Sequence, residues 1–86
     1  MQIKKELIKR QIAGETILVP VGKTVYDANG LFVLNELGAF IWDMLPQAES
    51  EEAICKAVLE EYDAGEEEVR RDVTEFLDAL RTWNIL

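Results

Sequence analysis

The chain has 86 residues, 17 of them acidic and 9 basic, for a net charge of −8. That length holds one domain with one compact core and no separate catalytic cavity. A surface this acidic does not displace counterions from a phosphate backbone, which argues against a nucleic-acid partner. One cysteine, Cys55, and no histidine exclude an intramolecular disulfide and a Cys/His metal centre.

Hydrophobic content of 49% beside 30% charged residues predicts a globular fold rather than a disordered tail. The longest apolar runs, Ile17 to Val21 and Leu37 to Trp42, fall far short of the roughly 20 residues that span a bilayer. The N-terminal Met1-Gln2-Ile3-Lys4-Lys5-Glu6 has no apolar run behind its lysines, so the expectation is a cytoplasmic protein with no membrane partner.

In chain order, residues 5–13 and 15–21 read as two strands joined by a hairpin at Ala13-Gly14. The second contains Ile17-Leu18-Val19-Pro20-Val21, apolar without alternation, so either both sheet faces are covered or one is left for a partner. Pro20 has no N–H and belongs at a strand end or bulge. Gly22-Lys23 turns the chain, Thr24-Val25-Tyr26 adds an extended piece, and Asp27-Ala28-Asn29-Gly30 turns it again. Leu31 to Leu34 is the third strand, running directly into a helix over 35–45 capped by Asn35, with Leu37, Phe40, Ile41, Met44 and Leu45 on its apolar stripe.

That helix stops at Pro46. Ser50 caps a second helix over 50–62, where Glu51 and Glu52 suit the positive end of the dipole and Ile54, Val58, Leu59 and Tyr62 form the apolar face. Asp63-Ala64-Gly65 breaks the chain before a third helix over 66–83, whose Val69, Val73, Phe76, Leu77 and Leu80 repeat at helical spacing. Ile85-Leu86 closes against the core. The fold class is therefore α+β, a small winged-helix-like domain with a three-stranded antiparallel sheet followed by three helices.

Three blocks carry a family resemblance: residues 14–22 (GETILVPVG), residues 29–42 (NGLFVLNELGAFIW) and residues 72–80 (DVTEFLDAL). In order and spacing they resemble the coenzyme PQQ synthesis protein D (PqqD) family, and they span almost the whole chain. The resemblance implies a RiPP recognition element, a non-catalytic chaperone that binds the leader of a ribosomally made precursor peptide and presents it to a modifying enzyme, often a radical SAM enzyme. It implies that the leader adds as a strand beside the third strand and lies against the third helix, with no cofactor. Pro46-Gln47 and Trp83-Asn84 depart from the glycine-containing turns common in the family. Membership does not imply that the pathway makes PQQ, and the sequence leaves a homodimer open.

Candidate chemistry is sparse. Cys55, beside Lys56, reads as a structural thiol, and Glu66-Glu67-Glu68 as a solvated, dipole-matched first turn, because consecutive helical residues point in different directions. On the third helix Arg70, Thr74, Leu77 and Arg81 recur at spacings of 4, 3 and 4 and place two guanidiniums on one flank. The plain reading is a helix face with local pairs such as Arg70–Glu66, Arg71–Glu75 and Arg81–Asp78. The resemblance turns the same flank into a border of the peptide groove, with Val73 beside it and the arginines holding acidic leader side chains.

On the third strand, Leu31, Phe32, Val33 and Leu34 are the candidate peptide-pairing residues, since an open edge offers its N–H and C=O groups to any extended chain. Leu31 and Val33 share one face, Phe32 and Leu34 the other. Trp42 and Trp83 are large anchors suited to a core or an interface. The alternatives are a winged-helix DNA-binding regulator, which the acidic third helix opposes, and a structural subunit without a groove.

Overall fold

The computed structural model describes residues 1–22 and 32–86. Three strands, β1 (Leu7–Ile12), β2 (Glu15–Pro20) and β3 (Phe32–Leu34), precede three helices, α1 (Glu36–Met44), α2 (Glu51–Glu61) and α3 (Glu66–Thr82). A 3-10 turn at Leu45–Gln47, with Pro46 inside it, joins α1 to α2. The sheet is antiparallel in the order β1-β2-β3. This is the α+β layout read from the sequence. Thr24-Val25-Tyr26, the Asp27 to Gly30 turn and Leu31 lie outside the described residues.

The β1–β2 hairpin closes through Ala13 (φ 53°) and Gly14 (φ 82°), the double left-handed geometry of a type I′ turn, which matches the twist of the strands it joins. Glycine takes that geometry freely. Ala13 brings a Cβ into it at a cost of roughly 1–2 kcal/mol. Pro20, as expected, is the last residue of its strand.

The uninterrupted apolar run of β2 serves two faces. Leu18, 1% exposed, enters the core with Leu34, while Ile17 lies on the opposite face across from Val33. That outer face keeps Ile8, Ile12 and Val33 about half exposed.

Asn35 Oδ1 accepts from the Gly38 N–H at 2.7 Å and Ser50 Oγ from the Ala53 N–H at 3.1 Å, so both expected caps form. Gly65 precedes α3 without a side-chain cap, and Glu66, Glu67 and Glu68 supply negative charge to its first turn instead. The core gathers Ile41, Leu45, Ile54, Val58, Val73, Leu77 and Leu80, all essentially inaccessible. Full burial of such a side chain contributes about 1.5–3 kcal/mol. Trp42 joins them, whereas Trp83 remains 37% exposed. No described helix is long and apolar enough to cross a membrane.

At the end of α3, Asn84 takes the left-handed conformation (φ 59°). Its N–H donates to the Arg81 carbonyl at 2.9 Å, and the Ile85 N–H donates to the Leu80 carbonyl at 2.8 Å. These are the two bonds of a Schellman cap, with asparagine where glycine is usual. At Trp83-Asn84 the chain thus takes the left-handed geometry that glycine adopts most freely, with Trp83 as the C-cap. The N-terminal segment straps this end down, the Lys4 N–H donating to the Ile85 carbonyl at 2.7 Å. The Met1 amino group donates to the carbonyls of Leu45 and Ala48.

Candidate peptide-binding site

The hairpin turn decides which backbone groups of β3 are free. Ile12 and Glu15 flank a two-residue turn and form a hydrogen-bonded pair, so alternation assigns Arg10–Ile17 and Ile8–Val19 to the same class. The Val21 N–H donating to the Glu6 carbonyl at 3.0 Å continues the series. Thr16 and Leu18 therefore turn their N–H and C=O toward β3, where they face Leu34 and Phe32. Val33, between those two, directs its own N–H and C=O away from β2. Among the described residues that edge has no partner strand.

The inner face of β3 leads onto α3. The Phe32 ring meets Trp83 edge-on at 5.1 Å and Phe76 edge-on at 6.3 Å. Phe32 and Phe76 are half buried and Trp83 is exposed, so three rings stand beside the open edge with apolar surface uncovered. Gly38 allows this approach, because a Cβ there would lie 3.1 Å from Phe76 Cε1 and 3.4 Å from Leu34 Cδ2. The flank of α3 that borders β3 thus runs Asp72, Phe76, Ala79, Trp83, one residue each 3 or 4 along.

The arginine line runs on the other side. At about 100° per residue, Arg70, Thr74 and Arg81 lie across the helix from Phe76 and Trp83, with the buried stripe between. Arg70 forms a two-point pair with Glu52 of α2, Nη1 to Oε2 at 2.7 Å and Nη2 to Oε1 at 2.8 Å, and Nη2 also reaches Glu66 Oε1 at 3.1 Å. These bonds raise the Arg70 pKa further, and the bond from Arg70 holds the Glu52 carboxyl below its ordinary value. Arg81 pairs with Asp78 at 2.8 Å. The local-pair reading therefore describes both arginines, and Thr74 is exposed on their side.

Three further candidates are core residues. Leu77, read on the arginine flank, and Val73 are each 0% exposed, and Leu34 is 5% exposed. They support the groove from beneath and offer no surface to a ligand. Of the strand candidates, Phe32 and Val33 stand at the groove and its edge, and Leu31 lies outside the described residues. The sequence reading puts Phe76 on the apolar stripe and names Trp83 as an anchor for a core or an interface, but does not join them with Ala79 into one flank, because that flank has the same spacing as the arginine line. The available signal was the aromatic pair one heptad apart, Phe76 and Trp83.

Cys55 is buried, and burial pushes its thiol pKa up. Among the described residues, no group of three His, Cys, Asp or Glu side chains could hold a metal ion.

The profile of the coenzyme PQQ synthesis protein D (PqqD) family matches residues 15–86. The chain belongs to that family. Among solved structures, this PqqD-family chain is similar to TbiB1 in complex with the TbiA(beta) leader peptide, with 29% sequence identity, a TM-score of 0.74, and coverage of 100% of this chain and 94% of that chain. No curated protein matches it. The PqqD match includes β2, β3 and all three helices, the elements that build the groove.

Proposed function

We propose that this PqqD-family domain is a RiPP recognition element: it binds the leader of a ribosomally made precursor peptide as an added strand on β3, packed against α3, and presents the precursor to a modifying enzyme. The observation that carries this reading is the open edge at Val33 beside the half-exposed rings of Phe32, Phe76 and Trp83. Backbone pairing along the edge supplies affinity for any extended chain, and the rings supply a place for one of its side chains. The similarity to a protein solved with a leader peptide supports the same occupant. The domain works by binding, without a cofactor, and the enzyme it serves is of the radical SAM class or another peptide-modifying class. The exposed acidic side of α3, with Glu67, Glu68, Glu75 and Asp78, favours a peptide over a nucleic acid.

Where a short precursor peptide is encoded beside this gene, calorimetric titration with its leader tests the reading. Binding that weakens at least tenfold in Val33→Pro, while that variant melts near wild type, is the expected result. Equal affinity in a folded Val33→Pro variant removes strand addition from the mechanism.

A further inference from the structure

The groove is electrically polarised along its length. Where β3 ends and Asn35 turns the chain into α1, an open depression of ≈340 Å³ is lined by Asn35, Leu37, Gly38, Asp72, Glu75 and Phe76. Among the described residues, both charged residues of its lining are acidic. Glu75 has no ion pair among the described residues, and Asp72 has only a long 3.9 Å approach to the exposed Arg71. The positive end of the α1 dipole is met by Asn35 Oδ1 and by Glu36 in the first turn, so it does not cancel two full carboxylates. At the opposite end, Lys5 Nζ donates to the Trp83 carbonyl at 3.0 Å, next to a second depression lined by Lys5, Thr82, Trp83 and Asn84. Between the two ends stand Phe32, Phe76 and Trp83.

A strand that satisfies the Val33 edge passes the carboxylates, because Asn35 follows β3 directly. Along α3, the midpoint of Asp72 and Glu75 lies about 9 Å from the midpoint of Phe76 and Trp83, at roughly 1.5 Å per residue. An extended chain covers that distance in two to three residues, and side chains on one face recur every second residue. The parity selects a spacing of two.

We propose that the groove is specific for an extended peptide that carries an apolar side chain over Phe32, Phe76 and Trp83 and a lysine or arginine two residues away, held between Asp72 and Glu75. This rests on the groove being the peptide site and names the ligand chemistry within it. The domain's charge of −8 adds long-range attraction for such a cationic segment and makes its association sensitive to salt. The sequence reading, with arginines holding acidic leader side chains, has the opposite sign.

The test uses a random twelve-residue peptide library displayed against the wild-type domain. A selected peptide is then synthesised with its basic residue kept, replaced by alanine or replaced by glutamate. The expected outcome is a shared apolar residue with Lys or Arg two positions away, and at least tenfold weaker binding of the glutamate peptide by fluorescence anisotropy. The double variant Asp72→Lys/Glu75→Lys should reverse that order, and Asp72→Asn/Glu75→Gln, which keeps the shapes, should erase it even if the reversal variant fails to fold. Peptides that lose binding to Val33→Pro and Trp83→Ala yet bind equally with Lys, Ala or Glu overturn the cation site and leave the groove intact. Peptides indifferent to Val33→Pro and Trp83→Ala overturn the groove and the cation site together.

Discussion

Two lines of residues on α3 share the same spacing of 4, 3 and 4: Arg70, Thr74, Leu77, Arg81 and Asp72, Phe76, Ala79, Trp83. The first carries the conspicuous charges and turns toward α2, where Arg70 meets Glu52. The second turns toward β3, where Phe76 and Trp83 bracket Phe32. In the first line the cations are already answered by acidic neighbours on the same domain. In the second, the rings of Phe76 and Trp83 keep apolar surface uncovered, and Asp72 has, among the described residues, only its 3.9 Å approach to Arg71. On the proposed reading, the binding surface is marked by what the fold leaves unsatisfied rather than by the presence of charge.

The largest effect separates both lines from the buried stripe between them. Leu77 counts with the arginines by spacing but is 0% exposed, so Leu77→Ala should cost about 2–5 kcal/mol in chemical denaturation. A loss under 1 kcal/mol would return Leu77 to the surface. Next comes the strand beside the aromatic line. Phe32→Pro removes a bond to Leu18 and a packed ring, so its melting temperature should fall well below that of Val33→Pro, which removes only outward groups. Equal melts for the two variants would contradict the parity assigned to β3.

A smaller effect, on binding, probes the aromatic line itself. Trp83→Ala should weaken leader binding at least tenfold, about 1.4 kcal/mol, with a smaller loss of stability than Leu77→Ala because Trp83 is 37% exposed. Calorimetry alongside denaturation measures both. The smallest change is expected from Arg70→Glu/Arg81→Glu, where affinity should stay within about threefold and the fold should persist, since exposed pairs contribute little. A tenfold loss of leader affinity in that double variant would exchange the roles of the two lines.

The strands, the hairpin at Ala13-Gly14, both caps and the three helices were legible to within a few residues, because each rests on a local cause: turn geometry, a side-chain oxygen at the N-cap, or apolar spacing. The resemblance carried by the three sequence blocks agrees with the family match over residues 15–86. The edge position of β3 was legible in the sequence, whereas which flank of α3 stands beside it was not. Phe32 and Val33 stand where the reading put them, whereas Leu34, Val73 and Leu77 support the groove from the core.

Local chemistry, then, is what the amino-acid order specified by itself: where strands turn, where helices begin, and which stripe of α3 is apolar. It could not say which side of that stripe meets β3, because two flanks with one spacing differ only in what packs beside them, and that neighbour comes from a distant part of the chain. The outward parity of Val33 likewise follows from the β1–β2 turn carried through two ladders of hydrogen bonds. Both facts are relations between elements, the first decided where α3 packs beside β3 and the second within the sheet itself.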